Sequence, residues 1–587
     1  MSVSKNIIVK KCQEAGLSFW LASQVALEID TLPETNKAIT NKIAKVLSEL
    51  SPDAAKQFDD YHSIKVRTSR NTLESFDRSF ITRSLIKETR LPRITAMEIA
   101  QEIEDDIRRL QLKDISSPLI REMANVMLLD KRLTTYKTRY TRAGLPVYDI
   151  SKIIEEQKQS PIEMTTGFGQ AMLREYTLTR VLPFNIAQSH LNADLFIHNL
   201  DNFPTCPESI QNDLRPFLRH GVRIHGIPST GPPKHAQVVA SHAARVLLTS
   251  KQYLGKGAGF DFFNIFISPY LEKKSDKDIE QIAQVFLYEL SNSQQNPDAF
   301  TINLDNEVPD FLKKEHAPVP GSKAPYSHYS EEARKFKDAL VKAFIQGDYE
   351  AKPFNHPRIC IKHRRIKKPE TELQKGIYYL KQESNESMLA GNVLSGRETR
   401  SLRSGTMQSV SLNVLKHVLK SQDENALYDE LARDMKAAVE IMRIKKDVMQ
   451  DRLYKDKTLG FLTQAYDNEE YIRFNNFQNI ISYYGLQETA EYYGDSKIIG
   501  RILRFSKKHL REFTKDTEIN VQLGLVEDPE CLSHFENSNR REGLNKSIST
   551  SIGNHEEMQQ YFPAGKCLET SDKEMVNNKK INFLKII

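Results

Sequence analysis

At 587 residues, with 39% hydrophobic and 27% charged residues, the chain exceeds one compact domain and has ample apolar content for packed cores; roughly two to four domains are expected. Its 83 basic and 77 acidic residues are interspersed along the chain, a balance that points to no direct nucleic-acid partner. No apolar run approaches the ~18 residues of a membrane span and the N-terminal "MSVSKNIIVKKC" holds no signal-peptide core, so no membrane association and a cytoplasmic location are expected.

In chain order, the first pattern is an internal repeat within residues 1–150. "CQEAGLSFWLASQVALEID" begins at Cys12 and "IKETRLPRITAMEIAQEIE" at Ile86, so that Ala22, Val25, Glu28 and Ile29 align with Ala96, Ile99, Glu102 and Ile103 at an offset of 74. A second helical stretch follows each copy, at 39–50 and at 115–129, the latter with Ser116 or Ser117 as N-cap and Pro118 early in the helix. Ahead of the second copy, "IKVRTSRNTLESFD" (64–77) predicts a hairpin with a polar turn at Ser69–Asn71. The order of basic hairpin, "FDRSFITRSLI", paired helices and "YTRAGLPVYDI" (140–150) resembles the ATP-cone, the regulatory nucleotide-binding module of many ribonucleotide reductases. Residues 1–62 then form a partial cone-like repeat and 63–150 a cone-like domain. The module's usual Lys-Arg-Asp-Gly turn stands here as "RTSRN", which leaves Arg67, Arg70 and Arg78 to pair with the phosphates of ATP or dATP, or else leaves a purely structural remnant.

Residues 151–526 alternate amphipathic helices with short apolar segments such as "FNIFIS", an α/β pattern. "GKGAGF" (255–260) has no Walker spacing and is expected to be a tight turn ahead of a strand. The densest basic run, "KHRRIKKPE" (362–370), is expected as a solvated loop in preference to a phosphate-binding patch, and the histidines of "RHGVRIHG" and "PPKHAQ" as hydrogen-bonded scaffold in preference to ligands. Within "MQSVSLNV", Val410, Leu412 and Val414 alternate with Ser409, Ser411 and Asn413, a strand pattern. A helix over 421–453 is expected to open on the capping box Ser421-x-x-Glu424 and to bury Leu427, Leu431, Met435 and Met442.

The ordered set "AMLREYTLTRVLPFNIAQSHLNADLFIHNLDNFPT" (171–205), "NDLRPFLRHGVRIHG", "GPPKHAQVVASHAARVL", "GAGFDFFNIFISPYLEK", "FTINLDNEVPDFL", "QGDYEAKPFNHPR", "MQSVSLNV" and "ISYYGLQETAEYYG" resembles the archaeal-type anaerobic ribonucleoside-triphosphate reductases. The resemblance covers roughly residues 60–560 and implies the α/β barrel of glycyl-radical enzymes behind the helical cone repeats. It also implies reduction of the ribose 2′-hydroxyl: a C-terminal glycyl radical passes the unpaired electron to a cysteine on a finger loop inside the barrel, and that thiyl radical takes the substrate's 3′-hydrogen.

The residues of that chemistry are not in place. The finger loop falls within about 385–406, and no cysteine lies between Cys360 and Cys531. The family's "GDIHIHDLE" stands as "ADLFIHNLD", with Ala193, Phe196 and Asn199 where Gly, His and Asp are expected; Ser209 occupies the neighbourhood of a second expected cysteine, with Cys206 three residues earlier. The five cysteines are too scattered for a disulfide framework or a zinc pair, no CxxC occurs, and no metal is expected. Residues 527–587, rich in Asn, Ser, Lys and Glu, resemble worn late family segments and are expected to be partly disordered, without the zinc cysteines and radical glycine. No catalytic residue is assigned. Two functions follow: a catalytically silent, nucleotide-binding partner of an intact reductase chain, or one component of a split reductase. By resemblance, the partners are nucleoside triphosphates, an intact reductase chain or a second copy, and a radical-SAM activase.

Overall fold

A computed structural model describes the chain except residues 1–2, 30–35, 63, 68–72, 111–113, 142–143, 145–149, 152–153, 156–159, 225–227, 292–298, 320–321, 353, 355, 364–376, 382–385, 390–392, 398–401, 422, 527, 542–566 and 570–587. It divides into two compact units, residues 1–143 and 144–587.

In the first unit the repeat is visible as helices in matching order. The first copy holds α1 (Val3–Glu14), α2 (Phe19–Glu28), α3 (Asn36–Leu50) and α4 (Pro52–His62); the second holds α5 (Arg78–Thr89), α6 (Arg93–Arg109), α7 (Ser117–Asp130) and α8 (Thr134–Tyr140). The aligned residues Ala22 and Ala96, Val25 and Ile99, and Ile29 and Ile103 are all buried, each set in the core of its own copy. The copies touch where Tyr61 donates to Glu104 Oε1 at 3.0 Å and the Arg108 guanidinium lies 3.5 Å from the Tyr61 ring centroid.

The predicted hairpin is β1 (Lys65–Arg67) and β2 (Leu73–Ser75), antiparallel with Val66 opposite Glu74; the expected turn at Ser69–Asn71 lies outside the described residues. A short strand, β3 (Asp114–Ser116), pairs with β1 in parallel, and Ser116 also caps α7 by accepting from the Leu119 N–H at 3.3 Å. Three residues are too few to show a period, so β3 left no pattern to read.

The second unit is built on two half-sheets. One is six-stranded, in the order β18-β9-β8-β7-β6-β5, from β5 (Ser209–Asn212), β6 (Gly257–Phe260), β7 (Phe300–Asp305), β8 (Arg358–His363), β9 (Ile377–Lys381) and β18 (Cys567–Glu569); β5 to β9 run parallel and β18 is antiparallel to β9. The other is four-stranded, in the order β16-β15-β12-β4, from β4 (Leu195–Ile197), β12 (Thr406–Asn413), β15 (Gln478–Tyr484) and β16 (Asn520–Leu523), with only β4 antiparallel. The half-sheets join where the Gln211 N–H donates to the Ser404 carbonyl and the Gln211 carbonyl accepts from the Arg403 N–H, both at 2.8 Å. Gly405 is required there, since a Cβ on it would sit 1.9 Å from the Ser209 carbonyl oxygen.

Long helices cover the sheets: α9 (Ala236–Lys251), α11 (Asp276–Ser291) and α12 (Ser330–Gln346) share a core with β5 to β8, while α14 (Glu424–Gln450) and α15 (Lys497–Phe513) share one with β4, β12 and β15.

Several expectations are corrected. "FNIFIS" is not a strand but a helix, α10 (Phe263–Ile267): all five residues are buried, so no polar face betrays the period, and the Asn264 side chain fixes the turn by donating to the carbonyls of Asp305 (2.7 Å) and Ala333 (3.1 Å). "GKGAGF" does not turn ahead of a strand; its last four residues are the strand β6, and a Cβ on Gly257 would lie 2.4 Å from the Ala299 carbonyl oxygen. The capping box is not formed. Ser421 ends the preceding helix α13 (Val414–Lys420), and Asp423 caps α14 by accepting from the Ala426 N–H at 2.8 Å, while Glu424 pairs with Arg501. The four predicted apolar residues of α14 are fully buried. Within 527–587 the described residues include α16 (Pro529–Arg541), which buries Cys531, Phe535 and Asn539, one per turn.

Candidate functional site

Between the half-sheets runs a hairpin of β10 (Glu386–Leu389) and β11 (Val393–Arg397), antiparallel, with Leu389 opposite Val393. β10 approaches β5 and β7, and β11 approaches β15 while pairing with β17 (Leu525–Val526). The hairpin therefore has a half-sheet on either side.

The faces around it carry many buried polar side chains. Along β12, Val410 and Leu412 enter the outer core, while Ser409, Ser411 and Asn413 form the opposite face. His198 links three elements there: its Nδ1 lies 2.8 Å from Asp528 Oδ2 and its Nε2 2.6 Å from the Ser411 hydroxyl, which meets the Ser482 hydroxyl at 2.5 Å. Burial pushes the Asp528 carboxyl up, but the hydrogen bond and charge of His198, with Lys256 nearby, outweigh it and hold the group well below the usual range. Cys531 packs against this cluster, and burial pushes its thiol up, away from the reactive thiolate. At the seam, Glu208 accepts from the Ser409 N–H (2.8 Å), the Ser409 hydroxyl (2.6 Å) and Gln408 Nε2 (3.2 Å). On the six-stranded sheet Lys362 pairs with Asp261 at 2.5 Å, both buried, its ammonium 4.3 Å from the Phe262 ring centroid. This corrects the reading of 362–370 as a solvated run: its first residue is an interior ion pair, and most of the rest lies outside the described residues.

The first unit has its own cavity, of about 330 Å³, between the hairpin, α5, α7 and α8, with Val66, Phe76, Phe80, Ser84, Arg121 and Tyr140 among its lining. Arg121 and Glu88 form a two-pronged ion pair at 2.8 and 3.0 Å, which, with Ser84, holds the Glu88 carboxyl below its usual range despite partial burial. Of the three arginines expected to meet a nucleotide, Arg67 ends β1 and follows Val66 of the lining in sequence, and Arg70 lies outside the described residues. Arg78 is not part of the lining; it turns toward Gln101 and pairs with Glu104 at 3.2 Å.

Residues 155–526 match the family model of the anaerobic ribonucleoside-triphosphate reductases, and residues 64–156 that of the ATP cone domain. The chain belongs to the anaerobic ribonucleoside-triphosphate reductase family. Its fold is similar to that of the anaerobic ribonucleotide reductase from Thermotoga maritima in complex with dATP and CTP (TM-score 0.58, 14% identity, 69% of this chain and 77% of that one). The same enzyme with MES in the active site matches at TM-score 0.59 and 13% identity over 72% and 80% of the two chains. A further anaerobic ribonucleotide reductase matches at 0.58 and 11% over 82% and 80%. No curated protein sequence matches it.

Set in this reductase scaffold, the departures from the family pattern have physical consequences. Ala193 and Asn199, standing for Gly and Asp, both adopt positive φ, +60° and +49°; Asn tolerates that region, whereas Ala193 is strained there by about 1–2 kcal/mol. Phe196, standing for His, is buried against Phe535 and the His198 ring. Ser209 is buried at the start of β5, its hydroxyl accepting from the Thr406 N–H at 3.3 Å. Cys206 is buried, and burial pushes its thiol up. The neighbouring Lys445, pushed down to about 8 by burial, donates to the carbonyls of Asn202, Phe203 and Cys206 at 3.2, 2.8 and 2.6 Å and so ties that loop to α14.

In the Arg/Ser-rich loop ahead of β12, Arg403 donates to the carbonyls of Tyr471 (2.5 Å) and Glu470, a structural clamp. His220 meets Asp467 at 3.1 Å as scaffold, His235 opens α9, and His225 lies outside the described residues. Among the described residues, no three His, Cys, Asp or Glu side chains converge to hold a metal ion, and no helix is long and apolar enough to cross a membrane. Asp528, Glu88 and Arg121 carry no local motif, and His198 stands within "ADLFIHNLD" with no mark of its own; each takes its meaning from a partner distant in the chain.

Proposed function

We propose that this reductase homologue binds nucleoside triphosphates through its cone and does not itself generate the substrate radical, acting in the cytoplasm beside an intact reductase chain or as a second copy with one. The observation that carries this reading is the β10–β11 hairpin. It lies between the two half-sheets and within the 385–406 stretch where the family resemblance expects the finger loop, and the chain has no cysteine from residue 361 to 530. The family's hydrogen abstraction depends on a weak S–H bond, and neither Ser209 nor the guanidinium and hydroxyl groups of 395–404 can replace it. The hairpin is flanked by elements of the same chain, which weighs against a thiol supplied there by a split partner.

Support for the cone is the cavity, whose lining includes Val66, Glu74 and Ser75 of the β1–β2 hairpin. The Thermotoga maritima relative was solved with dATP, so ATP and dATP are the ligands proposed here. The test is an anoxic assay of the purified chain with a radical-SAM activase, reductant and ribonucleoside triphosphates. No deoxyribonucleotide should form; product above a no-enzyme control, or a glycyl-type paramagnetic doublet, overturns the proposal.

A further inference from the structure

Among the described residues that line the cone cavity, Arg121 is the one basic side chain, and its orientation is fixed from two sides. Nη1 donates to Glu88 Oε2 at 2.8 Å and to the Tyr140 carbonyl at 2.9 Å; Nη2 donates to Glu88 Oε1 at 3.0 Å. The anchor is itself anchored, since the Ser84 hydroxyl donates to Glu88 at 2.7 Å and accepts from the Tyr140 hydroxyl at 3.1 Å. The guanidinium carbon also lies 4.3 Å from the Tyr140 ring centroid, within cation–π range.

A guanidinium carries five N–H bonds in one plane. Three are committed by these contacts: both on Nη1 and the inner one on Nη2. The two left, on Nε and the outer side of Nη2, are parallel neighbours along one edge. That edge is the fork that takes two oxygens of a phosphoryl or carboxylate group at once. A side chain already held by its other edge gives up little further freedom on binding, which is the benefit of preorganisation.

We propose that Arg121 is a preorganised phosphoryl fork of the cone cavity, with Glu88 and the Tyr140 carbonyl as its positioning groups and a nucleoside polyphosphate as its ligand. The apolar wall of Phe76, Phe80, Ile81 and Ile120 then receives the base. This rests on the reading of the cone as a nucleotide site and adds to it a residue outside the hairpin.

The test is calorimetry on the full chain with ATP and with inorganic tripolyphosphate, alongside thermal melting. Arg121→Lys keeps the charge and loses the fork, and should weaken both ligands at least about tenfold, as expected for a charge-assisted pair. Glu88→Gln keeps the fork but loosens its anchor, and should cost less than Arg121→Lys. Unchanged ATP affinity in Arg121→Lys overturns the fork while leaving the cone reading intact. A loss reproduced in full by Glu88→Gln, with matching drops in melting temperature, marks a structural role and also overturns it. If the wild-type chain binds neither ligand, both the cone reading and this inference fall.

Discussion

At the scale of single residues, the most consequential contact is between His198 and Asp528. It joins β4 to the segment that leads into α16, across 330 residues of chain. Because the Asp528 carboxyl is held below its unfolded value, near 3.9, its contribution to stability is present above that pH and is lost as pH falls through the folded value. Asp528→Asn should therefore destabilise the second unit by about 1–3 kcal/mol at pH 7. The gap between wild type and variant should narrow below about pH 4, as urea unfolding at the two pH values would show. An equal gap at both would mean that the charge of Asp528 contributes nothing. The Ser411 hydroxyl at the other end of His198 gives the geometry of a hydrolytic triad, but it is fully buried on a strand, and the arrangement reads as a hydrogen-bonded brace.

At the scale of elements, the helix at 424–450 shows what pattern reading gains and loses. Its apolar spacing was legible because a helix that packs on a sheet must repeat its buried face every three to four residues. Its start was not, because Ser421 and Asp423 both satisfy the composition of a cap, and the choice depends on where the preceding helix ends. Asp423→Ala should cost about 1 kcal/mol, and Ser421→Ala clearly less, in chemical denaturation. The reverse order would restore the capping box.

The fully buried helix Phe263–Ile267 failed for a different reason: with no exposed face, neither the helical nor the strand period survives in the sequence. At Pro529–Arg541, Cys531, Phe535 and Asn539 supply spaced buried contacts for a helix in a largely polar stretch.

At the scale of the whole molecule, residues 1–143 hold two separate apolar cores, each closed by helices of its own copy. A fragment of these residues should fold alone, with a cooperative melt and helical circular dichroism. A fragment that stays unfolded would show that its cores depend on the rest of the chain. The sequence by itself determined the repeat, the cone, the reductase scaffold and the absence of a thiol from 361 to 530, because these are carried by local periodicity, by the order of motifs and by residue identity. Only the tertiary structure decided that the β10–β11 hairpin lies between two half-sheets, that Lys362 is an interior ion pair, and that Arg121 faces Glu88 across 33 residues. Those facts depend on which distant segments meet. A single chain encodes such meetings through the packing of whole elements, and no short window of residues records them.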